Sequence, residues 1–302
     1  MKLRSLYPLR DLPRQGQIWS WISFDVANQS FALIIVTLLF SIFFQEVVVR
    51  DETRDDLLWS LTYASSMLLV VLASPIAGAI ADARAWKKRC LIGSGFLAAG
   101  LTCGLGLIPP GQLAVAALLF IPANFMCSIG ENFLGSFLPE LAERQHFGRV
   151  SGFSWAVAYS SALLLLAITA GCMIVFDLRT PDTWRPFFVF AGVWFFVFAI
   201  PPLLWLRERA APRESRNMNI FTAGFHRLAM SLQHARRFRD IATLLVASLF
   251  YGAGMQVIVS FASILAQEFG FEREQLVMFV AVITVSGILG TLVPTFWRDR
   301  LG

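Results

Sequence analysis

Eight apolar segments, each long enough to cross a lipid bilayer as a helix, dominate this sequence of 302 residues. A hydrocarbon core of about 30 Å needs about 20 mainly apolar residues in a helix, and the segments reach that length without a single Lys or Arg. Apolar residues make up 57% of the chain and charged residues 15%, against about 45–50% and about 25% in soluble domains. The sequence therefore predicts an all-α integral membrane protein and excludes an ordinary soluble enzyme, a disordered regulator and a fibrous protein. The segments are 18–44, 57–82, 90–108, 113–138, 151–176, 187–206, 241–267 and 276–297.

The charged residues between these segments predict their orientation. Cytoplasmic loops of membrane proteins carry an excess of Lys and Arg. With the N-terminus placed in the cytoplasm, 20 of the 25 Lys and Arg residues fall on the inner side and 5 on the outer side. We therefore expect both termini to be cytoplasmic and residues 1–17 to form a cytoplasmic N-terminal tail. Because the basic residues occupy short loops, no nucleic-acid partner is expected.

A long polar loop at 207–240 divides the chain into two unequal parts. It separates a predicted N-terminal bundle of six segments, 18–206, from the two segments in 241–302. The second half of the loop has apolar residues at helical spacing among basic residues, which is typical of an amphipathic helix on the inner membrane surface, in contact with lipid. A calmodulin-type partner would bind a similar helix, but a membrane surface is the commoner environment for one. The apolar positions are Phe221, Phe225, Leu228 and Leu232.

Two loops of related sequence indicate an internal repeat. The loop after the second segment reads Gly78-Ala-Ile-Ala-Asp82-Ala-Arg84-Ala-Trp-Lys87-Lys88, and the loop after the eighth reads Asp299-Arg300-Leu-Gly302. Together they resemble the loop motif of the major facilitator superfamily, whose six-span halves are related as parallel repeats. The resemblance implies that the superfamily's gating loops here contain Gly78, Asp82, Lys87, Lys88, Asp299 and Arg300. Asp82 would then meet the positive end of a helix in the other half.

The first segment carries a more specific resemblance. The stretch Trp21-Ile-Ser-Phe24-Asp25-Val-Ala27-Asn28-Gln-Ser-Phe31 resembles a signature of the major facilitator branch that includes the yeast vacuolar amino-acid effluxer and its bacterial relatives. The stretches that begin at Ser74, Leu138 and Gly148 agree with it. The chain departs from this branch by having Ser154, Ala158 and Ser161 where glycines are usual, and Tyr251 where an acidic residue usually precedes Gly252.

The resemblance also bears on length and localisation. A second half that matched the first would need about four more spans, so we expect the chain to be C-terminally incomplete. It implies the inner membrane of a bacterium or, in a eukaryote, the vacuolar membrane.

Two acidic residues lie well inside the apolar segments. Asp25 and Glu131 are each seven residues from the predicted inner end of their segment, which is about 10 Å at 1.5 Å per residue. A charge at the bilayer centre costs about 2.5–3.5 kcal/mol on insertion scales, so such residues usually face a cavity or a partner. Each shares a helical face with further polar residues, so the sequence predicts a substrate or proton site. These companions are Asn28 and Gln29 on the first segment, and Asn124 and Ser128 on the fourth.

Simpler interpretations of these residues remain open. At the level of the inner lipid headgroups, Asp25 would simply be hydrated. The apolar run beyond Glu131 predicts deeper burial for Glu131. In the simpler interpretation, Asn28 and Asn124 form hydrogen bonds between helices instead of contacting a substrate. Tyr159 and Gln256 line the pathway in one interpretation and are polar packing residues in the other. Lys87, Lys88 and Arg89 are most simply a solvated positive-inside loop.

No feature of the sequence indicates an enzyme, a cofactor or a metal. The four cysteines lie in apolar segments without metal-ligand or paired spacing, and no nucleotide-binding loop or hydrolase motif occurs. The sequence predicts a secondary active transporter that moves a small-molecule substrate, with amino acids and a coupling proton as candidates, by alternating access in the direction of efflux or exchange. The alternative is a non-transporting membrane remnant or interaction scaffold.

Overall fold

The computed structural model describes residues 7–10, 12–178, 180–209, 229–230, 233, 238–271 and 273–301, with side chains throughout except at 263, 267, 273–274, 276–277 and 292–301. Helices form all the regular structure within these ranges. They are α1 (Gln15–Ser30), α2 (Phe40–Phe43), α3 (Asp55–Arg84), α4 (Lys87–Leu105), α5 (Leu113–Leu141), α6 (Phe147–Val175), α7 (Arg185–Trp205), α8 (Arg239–Glu268) and α9 (Arg273–Leu301), joined in places by π-helical and 3₁₀ segments.

Six helical stretches in the described part of the chain are long and apolar enough to cross a membrane. They correspond to predicted segments one, two, four, five, six and seven. The third segment lies on α4, whose first turn contains Lys87, Lys88 and Arg89, and the eighth lies on α9, where the apolar stretch is the shorter Met278–Thr291. The membrane-protein class is thus confirmed, while the number of eight spans stays a prediction.

The first predicted segment is an irregular helix. After α1 the chain continues as a π-helix over Phe31–Leu38, then as α2, then as a second π-helix over Phe44–Val49. The Thr37 hydroxyl donates to the carbonyl of Ala32, five residues earlier, at 2.8 Å. The helical path therefore extends past the predicted end at residue 44. Its outer half is held by a buried aromatic cluster, in which the ring centroids of Phe40 and Phe120 lie 5.4 Å apart.

Helix α1 packs against α5, α6 and α7 at the centre of the N-terminal bundle. Because hydrocarbon offers no hydrogen bonds, polar side chains in such a bundle bond to neighbouring helices. The Trp21 indole donates to the carbonyl of Leu134 at 2.8 Å, and the Ser30 hydroxyl donates to that of Ala191 at 2.9 Å. A side chain on Gly95 would start 2.7 Å from the Phe24 ring, so glycine leaves room on α4 for this ring.

The two helices after the long loop pack on different parts of the N-terminal bundle. Helix α8 contacts α2 and the π-helix Phe31–Leu38, and α9 packs along α6. Where α9 crosses α6, a Cβ on Gly287 would lie 3.2 Å from the Tyr159 ring. The predicted amphipathic helix lies almost wholly outside the described residues. The domain boundaries at 17, 206 and 240 stay predictions, although α7 ends at Trp205 beside one of them.

Candidate translocation site

Asp25 lies on α1, ten residues after its start at Gln15, and α6 supplies its partner. The Ser154 hydroxyl donates a hydrogen bond to the Asp25 carboxylate. Ser154 is fully buried and Asp25 is half-buried. The side chain is therefore held within the bundle by a specific contact between helices.

Glu131 lies on α5 close to Asp25, so the two predicted acids are brought together. Each is ten residues from the inner end of its helix, Gln15 or Leu141, which is about 15 Å at 1.5 Å per residue. The two carboxylates are near enough to interact electrostatically. Glu131 lies deep within the bundle, yet its side chain is exposed while Asp25 is half-buried, so the deeper burial of Glu131 stays a prediction. Glu131 thus lines an accessible surface far from the helix ends.

Asn28 stands one helical turn outward from Asp25 and meets α5 at Cys127. Its side chain is 2% exposed, and its carbonyl oxygen accepts a hydrogen bond from the Cys127 thiol at a distance of 3.6 Å. The Asn28 amide nitrogen is buried and has no hydrogen-bond partner among the described residues. Buried polar groups in proteins are nearly always paired, so this free donor distinguishes Asn28 from an ordinary packing residue.

Asn124 forms a hydrogen bond between two helices. Its amide nitrogen donates to the Ser66 hydroxyl on α3 at 2.7 Å, and that hydroxyl donates to the carbonyl of Tyr63 at 2.6 Å. Both Asn124 and Ser66 are buried. This is the simpler of the two interpretations that the sequence left open for Asn124.

Gln256 lies apart from the acidic pair, on the outer half of α8. Its amide nitrogen donates to the hydroxyl of Tyr63, whose ring is buried beside Trp59 and Phe120. Tyr159 lies on α6, half-buried against Trp155 and Gly287. Gln256 and Tyr159 thus have their contacts outside the group formed by Asp25, Asn28 and Glu131.

The predicted gating loop forms part of a charged network at the end of the bundle where α4 begins and α5 ends. The Lys87 ammonium pairs with the Glu140 carboxylate at 3.2 Å, with less than a fifth of each side chain exposed. The interpretation of Lys87 as solvated is wrong, because the end of α5 places Glu140 over it. Arg89 is exposed and lies over the Trp86 ring. Lys88 is half-buried; desolvation lowers its pKa, and the nearby positive charge of Arg207 lowers it further.

Two acidic residues join this network to the start of the long loop. The Glu208 carboxylate accepts hydrogen bonds from the backbone N–H groups of Lys87 at 2.9 Å and Lys88 at 3.0 Å. Glu140 accepts a further bond from the backbone N–H of Arg209 at 2.8 Å. Glu208 thus satisfies the first N–H groups of α4, and both acids connect this helix end to the start of the loop.

The remaining gating residues are less fully placed. Gly78 and Asp82 lie in the last two turns of α3, which ends at Arg84 as Ala85 adopts a left-handed backbone conformation. Asp299 and Arg300 were expected in a loop, but α9 continues to Leu301 because no Pro or Gly interrupts residues 296–301. Their side chains lie outside the described set.

Sequence reasoning missed three of the functional contacts. Cys127 received no role from the cysteine spacing, although it lies one turn from Glu131 on α5. Ser154 stands out in the sequence only as a departure from glycine. Nothing in the local sequence of Glu208 indicated that it caps α4. In the described part of the chain, no cluster of three or more His, Cys, Asp or Glu side chains could hold a metal.

An apolar helical bundle with a polar cluster far from both helix ends is the architecture of a membrane-spanning protein with an internal polar site. The chain is an all-α integral membrane protein of the major facilitator type. A family model described as "Vacuole effluxer Atg22 like" matches residues 58–302. The chain belongs to this family.

Curated relatives come from bacteria and fungi. The uncharacterized MFS-type transporter YxiO of Bacillus subtilis is 22% identical over 277 residues, covering 88% of this chain and 64% of the relative. Autophagy-related protein 22 of Kluyveromyces lactis is 26% identical over 266 residues, covering 80% of this chain and 53% of the relative. The chain therefore spans between about half and two thirds of the length of these two relatives.

Proposed function

We propose that this chain forms part of a secondary active transporter that moves small polar solutes across a membrane by alternating access. Amino acids are the substrate class that the site supports best, with efflux or exchange as the direction. The supporting observation is the free N–H group of Asn28, one helical turn from the Asp25–Glu131 pair. The relatives named as an MFS-type transporter and as a vacuole effluxer family agree with it.

The two parts of the site complement the two charges of a free amino acid. The carboxylates of Asp25 and Glu131 attract an ammonium group, and the Asn28 N–H donates to a carboxylate oxygen. Hydrogen bonds to charged groups are stronger than neutral ones, and a charge held away from water needs such partners. A solute that lacks either charge would leave one part of the site unpaired.

The site also supports coupling to protons. Two carboxylates that lie close together favour the uptake of a proton by one of them. In the proposed cycle Glu131, the more accessible acid, exchanges a proton with solvent, while Asp25 stays bonded to Ser154. We further propose that both termini face the cytoplasm, as the loop charges predict.

Counterflow in proteoliposomes tests this function. Vesicles loaded with one unlabelled L-amino acid at a time, namely alanine, leucine, serine, lysine or glutamate, are diluted into the ¹⁴C-labelled form. We expect transient accumulation of at least one of them by a version of the chain that continues through four further spans, run beside residues 1–302 alone and an Asp25→Asn variant. Counterflow by the extended wild type and not by Asp25→Asn supports the function.

Analogues of the transported amino acid then test how the charges are recognised. For alanine, alaninol lacks the carboxylate and propionate lacks the ammonium group. Both should fail to compete. Absence of counterflow for all five amino acids in the correctly inserted extended protein would contradict the proposed substrate class and favour a membrane scaffold.

A further inference from the structure

The hydrogen bond between Cys127 and Asn28 determines which end of the Asn28 amide is available to a ligand. An amide group has one acceptor end and one donor end, and a thiol is a weak donor. Here the thiol donates to the amide oxygen at 3.6 Å, and the amide nitrogen is left buried and unpaired. Both side chains are buried, at 5% and 2% exposure, so water does not compete for this contact.

The same two helices carry the acidic pair one turn further inward. Cys127 and Glu131 are four residues apart on α5, and Asn28 and Asp25 are three apart on α1, so each pair lies on one helical face. A separation of three residues is about 4.5 Å along a helix. The N–H group of Asn28 and the carboxylates thus form two levels of one site.

We propose that Cys127 is a positioning residue, which fixes the Asn28 amide so that its N–H group donates to an acceptor oxygen of the transported solute. The inference rests on the proposed function and names the part of the site that binds the carboxylate. Without the thiol, the Asn28 oxygen loses its donor and the amide is free to rotate. Its oxygen would then face the solute carboxylate and repel it.

Because Cys127 is a hydrogen-bond donor, substitutions at this position can distinguish loss of the donor from loss of packing. Serine at this position retains a hydroxyl donor on a shorter bond, whereas alanine removes the donor and leaves the helix otherwise intact. The pair of variants therefore separates loss of the hydrogen bond from loss of packing. Cys172, near the outer end of α6, provides a matched control for the removal of a membrane-embedded thiol.

The test is the concentration dependence of counterflow in the extended protein, measured with the ¹⁴C-labelled amino acid of the five above that gives the largest signal. We expect Cys127→Ala to raise KM about tenfold with little change in the maximal rate, as for the loss of one hydrogen bond to a charged group. Cys172→Ala should stay within about twofold of wild type, and Cys127→Ser, which keeps a donor, should raise KM less than Cys127→Ala does. Asn28→Asp, which has no N–H donor, should raise KM more than Cys127→Ala does.

A spectroscopic measurement reports on the contact itself. The S–H stretching band of Cys127, identified in the infrared spectrum by its loss in Cys127→Ser, should shift to higher frequency in Asn28→Leu because the thiol then has no acceptor. An unchanged band, or an unchanged KM in Cys127→Ala when wild-type counterflow is intact, would overturn the inference alone. Failure of wild-type counterflow with every amino acid would overturn the proposed function together with the inference.

Discussion

At the scale of single residues, the polar groups of the site differ in whether they already have partners. Asp25 is bonded to Ser154, and Asn124 is bonded to Ser66. The Asn28 N–H is unpaired, and the Glu131 side chain is exposed. The Asn124 contact stabilises the helix packing, whereas in the proposed site the Asn28 N–H and the two carboxylates are available to a substrate or a proton.

The first prediction concerns Glu131. Replacing its carboxyl group by an amide, Glu131→Gln, removes the proton acceptor but keeps the size and polarity of the side chain. We expect the variant to lose accumulation driven by a pH gradient and to retain exchange of substrate across the membrane. Accumulation with the wild-type pH dependence would show that Glu131 is a structural acid. Glu52→Gln, on an exposed outer loop, is the matched control.

A second prediction concerns Ser154, which stands where glycine is usual in the branch that this chain resembles. Ser154→Gly should release the Asp25 carboxylate from α6 and weaken apparent substrate affinity several-fold, about the effect of one hydrogen bond to a charged group. The measurement is the KM of counterflow, with Ser161→Gly on the same helix as the control. Equal effects of the two substitutions would mean that only helix packing has changed.

At the scale of elements, the irregular first helix is where α8 meets the N-terminal bundle. The outer half of α8 contains the buried residues Ser260 and Ile264, whereas residues 243–259 are exposed. Gln256 reaches across to Tyr63 on α3. π-helical segments are often associated with functional sites. We therefore expect the two parts of the chain to separate at the π-helix Phe31–Leu38 and at this hydrogen bond.

The third prediction follows from that contact. Tyr63→Phe keeps the ring but removes the hydroxyl that accepts from Gln256, so we expect the outer side to open more readily. Labelling of a cysteine at Ser128 by an impermeant maleimide from outside should become about two- to tenfold faster, the range for one hydrogen bond. Gln256→Leu should have the same effect, and the double variant should add nothing, since both remove one interaction. Additive effects would contradict a direct contact.

The fourth prediction concerns the capped start of α4. Three cations occupy its first turn, where the helix dipole is unfavourable to positive charge, and the Glu208 carboxylate offsets this by accepting two N–H bonds. Glu208→Ala should lower the free energy of unfolding by about 1 kcal/mol, as for the loss of a helix cap. Thermal unfolding in detergent measures this, with Glu52→Ala as a control that should be neutral. A Tm equal to that of wild type would show that Glu208 does not stabilise the start of α4.

At the scale of the whole molecule, the sequence predicted the membrane class, the helix positions and the pairing of Asp25 with Glu131. Those features depend on apolar length and helix rise, which are local. It did not predict Ser154 against Asp25 or Cys127 against Asn28, because the rotation of one helix against another is set by packing that no single segment encodes. The π-helical path of the first segment was missed for the same reason.

The membrane topology is a prediction at this scale. Cysteines introduced in 45–56 and 177–186 should react with an impermeant maleimide in intact cells, and cysteines in 83–89 only after permeabilisation. The physical reason is the excess of Lys and Arg on the inner loops. Labelling of the Lys87 region from outside would show that the orientation is the opposite of the predicted one.

The most direct test of the central claim asks whether the site around Asp25, Asn28 and Glu131 opens to each side of the membrane in turn. The probe is a cysteine at Ser128, between Asn124 and Glu131 on α5, in the extended protein with the native cysteines replaced by serine. Alternating access predicts that an impermeant maleimide labels it in both right-side-out and inside-out vesicles, and that the transported amino acid changes the ratio of the two rates. Labelling from one side only, at a rate that no amino acid alters, would contradict the account.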